Sequence, residues 1–178
     1  MFLKAIKQKL KHKSGRKFIK ELLKHPIQRA QQANEIKSIG CIVDLDKFND
    51  TNLFYKFIDE FKLRPNSIQV IGYKNFYDKN SPYSTPVFSD KDLGWNGKIE
   101  NSYALEFMNR EYDLLINYYA EGHLLLQLMT LKSKARLRVG FDSVDKNLND
   151  LIFQVPISNF DLFKKELKKY LKILKEIV

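Results

Sequence analysis

A three-layer, Rossmann-like α/β sandwich on a mostly parallel sheet of about five strands is the fold this sequence predicts. Three observations predict it. Short apolar, β-branched runs recur at 38–45, 67–73, 112–119 and 136–141, the signature of strands buried on both faces. Patterns with helical periodicity separate most of them. The first strand, helix and second strand together make one βαβ unit, right-handed by the usual rule.

The elements follow in order. Phe2, Leu3, Ile6 and Leu10 recur at helical spacing, and Phe18, Ile19, Leu22 and Leu23 repeat the pattern beyond Ser14-Gly15. One helix broken near Gly15, or two short ones, is expected, ended by Pro26. Its apolar stripe needs a surface to pack on, because its like charges repel at i,i+4. Residues 27–37 read as a linker or a helix extension. Ser38–Leu45 is the first strand. Asn49–Leu63 is an amphipathic helix through Leu53, Phe54, Phe57, Ile58 and Phe61, capped by Asn49, Asp50 or Thr51. Arg64-Pro65-Asn66 turns the chain into the second strand, Ser67–Tyr73.

Residues 74–101 break the rhythm with Pro82, Pro86, Gly94, Gly97 and the single Trp95. Such a loop is either functional or hides a short strand or hairpin around Pro86–Phe88 or Lys98–Ile99. Tyr112–Tyr119 is the third strand, Glu121–Leu131 a leucine-rich helix, and Arg136–Phe141 the fourth strand. Leu151–Val155 follows after only about nine polar residues, too few for a helical crossover, so an antiparallel edge strand is expected. An amphipathic helix, Phe160–Ile177, closes the chain.

The charge is uneven. The chain carries a formal +10 over 178 residues, and residues 1–30 hold eight Lys and two Arg against one acid, Glu21. The remainder is nearly neutral. The reading is therefore a basic helical arm (1–30) on a single α/β domain (31–178). A dense cationic arm points to an anionic partner, RNA or the ribosome foremost and an anionic membrane surface as the alternative. The residues assigned to phosphate contact are Lys4, Lys7, Lys9, Lys11, Lys13, Arg16, Lys17, Lys20, Lys24 and Arg29. The aromatic loop 75–95 is a candidate for stacking on unpaired bases.

Several classes are excluded. No apolar run reaches the ~20 residues of a membrane span. Lysines interrupt any stretch long enough for a secretory signal. One cysteine, Cys41, removes a disulfide framework, and its place in a buried strand makes it a packing residue. A cytoplasmic protein is expected. No GxGxxG, GxxxxGK[ST] or GxSxG is present, so neither a nucleotide cradle nor a serine nucleophile is indicated. No cofactor, metal or small-molecule substrate is assigned. A strand-end enzyme site is the remaining alternative, with Asp44, Asp46, Glu121 and His123 as its candidates and Asp142 as a further carboxylate.

Two resemblances accompany this reading. The stretch EYDLLINYYAEGHLLLQLMTLKSKARLRVGF (111–141) is similar to the Rossmann-like N-terminal half of heptosyltransferase-type glycosyltransferases, which implies fold alone. The lysine-rich start, IGCIVDLD, YDLLINYY, ARLRVGF and the lysine-rich closing helix resemble an uncharacterised Bacteroidota family of small basic α/β proteins. That resemblance implies a bacterial cytoplasmic protein and brings no catalytic residues with it.

Overall fold

The computed structural model describes residues 2–24, 35–78 and 83–177. Six parallel strands form one sheet: β1 (Ile39–Asp44), β2 (Ile68–Tyr73), β3 (Val87–Phe88), β4 (Glu111–Tyr118), β5 (Lys134–Phe141) and β6 (Leu151–Phe153). Their order is β3-β2-β1-β4-β5-β6. The order in which strands are added therefore reverses between β1 and β4, the switch point of a doubly wound sheet. β1 is buried along its whole length, as the run IGCIVD requires.

The helices are α1 (Phe2–Lys24), α2 (Phe57–Glu60), α3 (Ser102–Asn109), α4 (Leu124–Lys132) and α5 (Phe160–Ile173). Each face of the sheet has its own core. On one, Ile42, Ile71, Leu115 and Tyr119 meet Ile19 of α1, Phe107 of α3 and the leucines of α4. On the other, Cys41, Val43, Leu114 and Ile116 meet Phe54, Phe57 and the Phe160, Phe163, Leu167, Leu171 stripe of α5. Lys164 and Lys168 of α5 reach Glu60 of α2 at 3.2 and 2.6 Å, fastening the outer layer. Lys168 and then Lys164 hold that carboxyl below its usual range.

Four expectations are corrected. The edge strand β6 is parallel to β5, not antiparallel. It pairs only with Val139–Phe141, so the chain need fall back just two residues, about 7 Å. A nine-residue link with one 3-10 turn (Lys146–Leu148) covers that distance. The sheet has six strands rather than about five, because the short strand anticipated around Pro86–Phe88 joins it as β3. The helix expected over 49–63 is instead a 3-10 turn (Thr51–Lys56) followed by the single turn of α2. Thr51, Phe54 and Phe57 are all buried at a spacing of three, which a 3-10 turn aligns on one side. Thr51 is drawn inward by a 2.8 Å hydrogen bond with Thr85.

The fourth correction concerns the arm, where α1 runs unbroken through Gly15. A β-carbon at Gly15 would lie 3.2 Å from Leu124 Cδ2. The glycine is a point of close approach between α1 and α4, not a hinge. Arg29 and most of the 27–37 stretch lie outside the described residues.

Candidate functional site

Two places concentrate polar chemistry, the outer face of α1 and the carboxyl edge of the sheet.

The second half of α1 docks through Gly15, Phe18, Ile19 and Leu23, at i, i+3, i+4 and i+8. Its seat is α4 and the turn Trp95–Lys98. Asn96 and Gly97 there both have positive φ (53° and 69°), and the Lys98 N–H donates to the Trp95 carbonyl at 3.0 Å. This is the geometry that Asn-Gly favours in a tight hairpin. A bridge between Leu93 and Ile99 closes the hairpin anticipated at Lys98–Ile99. Gly97 is also sterically required, since a β-carbon would meet Leu128 at 2.9 Å and Phe18 at 3.0 Å. Polar contacts continue the seam. Ser14 Oγ accepts from the Asn96 N–H (3.1 Å), Lys11 Nζ donates to the Leu93 carbonyl (2.8 Å), and Gln8 Nε2 to the Asp90 carbonyl (2.9 Å). Lys132 Nζ lies 4.5 Å from the centre of the Phe18 ring.

Docking sorts the predicted contact residues. Lys4, Lys7, Lys9, Lys13, Arg16, Lys17 and Lys20 are exposed. Lys11 is turned into the seam. Lys24 pairs with Glu21 at 2.8 Å. Arg29 lies outside the described residues. Lys9, Lys13, Arg16 and Lys20 fall at i, i+4, i+7 and i+11, one row about 16 Å long. Glu21 is the sole acid of α1.

The aromatic loop divides. Phe88 and Leu93 are buried against the sheet, while Phe76 and Trp95 remain exposed. Tyr77 and Tyr83 pack 5.4 Å apart.

At the carboxyl edge, the strand-end candidates stand near the switch point, but each is engaged locally. Asp44 accepts from the Asp46 N–H (3.0 Å), closing its own turn, and burial raises its carboxyl above the usual range. Asp46 accepts from the Asn75 N–H (2.8 Å) and lies 3.5 Å from Lys74 Nζ. Glu121 pairs with Lys47 at 2.8 Å. His123 Nδ1 is 3.2 Å from the Tyr73 hydroxyl, which donates to Asp90 Oδ1 at 3.0 Å. Since that hydroxyl spends its proton on a carboxylate, Nδ1 supplies the hydrogen of the His123 bond and Nε2 is left as the acceptor. Burial, then the Asp90 charge, raises the Tyr73 hydroxyl. Sequence reasoning missed Tyr73 and Asp90 as partners of His123. They sit 50 and 33 residues from it, beyond any local pattern.

Among the described residues no three His, Cys, Asp or Glu side chains gather in an arrangement that holds a metal ion. Asn117 serves packing too. It donates to Asn149 Oδ1 (2.7 Å) and accepts from Thr130 Oγ1 (2.8 Å), wholly buried. Cys41 is buried in β1, and its thiol is pushed well up by burial. That is the inert environment expected for it. No described helix is long and apolar enough to cross a membrane.

Fold and surface thus define a Rossmann-like, doubly wound α/β protein that carries a cationic helix on one layer. The chain belongs to a family of unknown function, DUF6913, whose model matches residues 11–174. The matched stretch begins at Lys11, where α1 is already on its seat. No curated protein and no solved structure matches the chain.

Proposed function

We propose that the protein is a non-catalytic, cytoplasmic RNA-binding protein, associated with the ribosome, that grips phosphates through the outward face of α1. One observation carries this reading. The docked stripe of α1 fixes its other side toward solvent, so Lys9, Lys13, Arg16 and Lys20 stand as a rigid row with Lys17 beside them. A row already ordered loses less conformational entropy on binding than a free tail would. Along ~16 Å it faces about five phosphates of one strand. The exposed Trp95, in the turn that seats α1, offers a stacking surface close by, and Phe76 is a further exposed ring. Three of the five lysines of α5 differ, since Lys164, Lys168 and Lys169 are committed to pairs with Glu60 and Glu166. A Bacteroidota source accords with the resemblance of the lysine-rich start and the YDLLINYY and ARLRVGF strands.

The test is titration of the full chain with a structured ribosomal RNA fragment across a salt series. Replacing Lys9, Lys13, Arg16, Lys17 and Lys20 together by Gln is expected to reduce the slope of log K against log salt by about 4. The circular dichroism spectrum should not change. An unaltered affinity and slope would remove this reading.

A further inference from the structure

We infer that the first turns of α1 form an interfacial anchor for an anionic lipid surface, a role distinct from RNA binding that draws on two of the same lysines, Lys9 and Lys13. The observation is an apolar row that the fold leaves uncovered. Leu3, Ile6 and Leu10 recur at i, i+3 and i+7 and are 80%, 41% and 48% exposed. Sequence periodicity joins them to Phe18, Ile19 and Leu22 as one kind of stripe. On the helix they lie elsewhere. At 100° per residue the Leu3–Ile6–Leu10 row is centred about 150° round the axis from the docked side of Gln8, Lys11, Gly15, Phe18, Ile19 and Leu23. Seating the second half of α1 therefore turns these three aliphatics away from the body.

Their surroundings choose the occupant. Lys7 borders the row on one side and Lys9 and Lys13 on the other, all exposed. An open groove alongside meets the row only at Leu10 and is otherwise lined mainly by polar and basic side chains, Lys9, Lys13, Arg16, Lys17 and Lys20 among them. Aliphatic centre and cationic flanks match acyl chains beneath anionic headgroups. A second copy of this chain would bring like charge against like charge across the same face. RNA satisfies the lysines and leaves the aliphatics in water. The helix lies on the surface rather than crossing it, because lysines interrupt the apolar positions at every turn.

Moving one Leu-sized side chain from water into hydrocarbon favours binding by roughly 10- to 100-fold when insertion is complete. Each lysine held near an anionic surface adds about fivefold. Three partly inserted aliphatics with three or four lysines therefore suffice for reversible attachment.

The experiment is flotation of the full chain with phosphatidylcholine vesicles, with and without roughly a third phosphatidylglycerol, beside RNA titration of the same samples. Attachment to the anionic vesicles and not to the neutral ones is expected. The combined variant Leu3→Ser, Ile6→Ser, Leu10→Ser keeps every charge and alters only exposed positions. It is expected to lose at least about 30-fold in vesicle partition while keeping its circular dichroism spectrum and its RNA affinity. Absence of attachment to anionic vesicles overturns the inference. So does attachment that the serine variant leaves unchanged, since the lysines alone would then account for it. RNA binding failing while serine-sensitive flotation persists would remove the proposed function and leave this anchor standing.

Discussion

The two halves of α1 are built from nearly the same residues and meet opposite fates. Each carries four apolar side chains at helical spacing among lysines. In the second half Ile19 is 6% exposed and Phe18 and Leu23 pack on the same core. In the first half Leu3 stands in solvent. Gly15 and the Asn96-Gly97 turn account for the difference. One removes the side chain that would hold α1 off Leu124, and the other admits Phe18 against the loop. Amphipathic spacing states that a helix has an apolar side. It does not state what that side touches.

Substitutions test this contrast, beginning with the largest effect. Ile19→Ala should cost about 2–4 kcal/mol in urea unfolding, through lost burial and the cavity left behind. Leu10→Ala should stay within about 0.5 kcal/mol. Equal losses at the two positions would mean that both halves are packed alike.

Gly15→Val is next. Its branched side chain would press on Leu124, already 3.2 Å from a β-carbon, and should cost about 1–3 kcal/mol by thermal melting. Gly15→Ala should be nearly neutral, because alanine's helix advantage of about 1 kcal/mol offsets the tighter contact. A harmless valine would show that glycine is not what brings the helices together.

The smallest effect is at Lys132, which covers Phe18 from the α4 side. Burial lowers its pKa from the usual 10.5. Between the folded and unfolded values the unfolded chain holds the extra proton, so stability rises as pH climbs through that window. Lys132→Met should flatten this alkaline rise and shift stability by less than about 1 kcal/mol at neutral pH, loss of the cation–π contact opposing relief of desolvation. A melting series across the alkaline range reads it. An unchanged rise in the variant would place the titrating group elsewhere.

How much was legible varies with the range of the interaction. IGCIVD, SIQVIGY and YDLLINYY declare buried parallel strands because a strand covered on both faces reads as a nearly continuous apolar run. The leucines after His123 likewise declare α4. The direction of β6 was misread because link length was weighed without knowing how few residues of β5 it pairs. The turn at Thr51–Lys56 looks helical in the sequence because Phe54 and Phe57 satisfy either period over so short a run. α3 went unread, although Asn101 caps it by accepting from the Ala104 N–H at 3.0 Å. Of the strand-end candidates, the sequence brought forward His123 but not the pair that holds it. Tyr73 and Asp90 come from other elements.

By itself the sequence determined the Rossmann-like class, the strands of the central sheet and the concentration of positive charge near its start. Each follows from side-chain chemistry repeated along a local stretch. Tertiary structure alone decided which lysines of α1 face outward, which apolar residues stay wet, and that the carboxylates at the sheet edge are held by their neighbours. Those outcomes depend on how one helix is rotated upon another, and that rotation is set where Gly15 meets Leu124, residues more than a hundred positions apart.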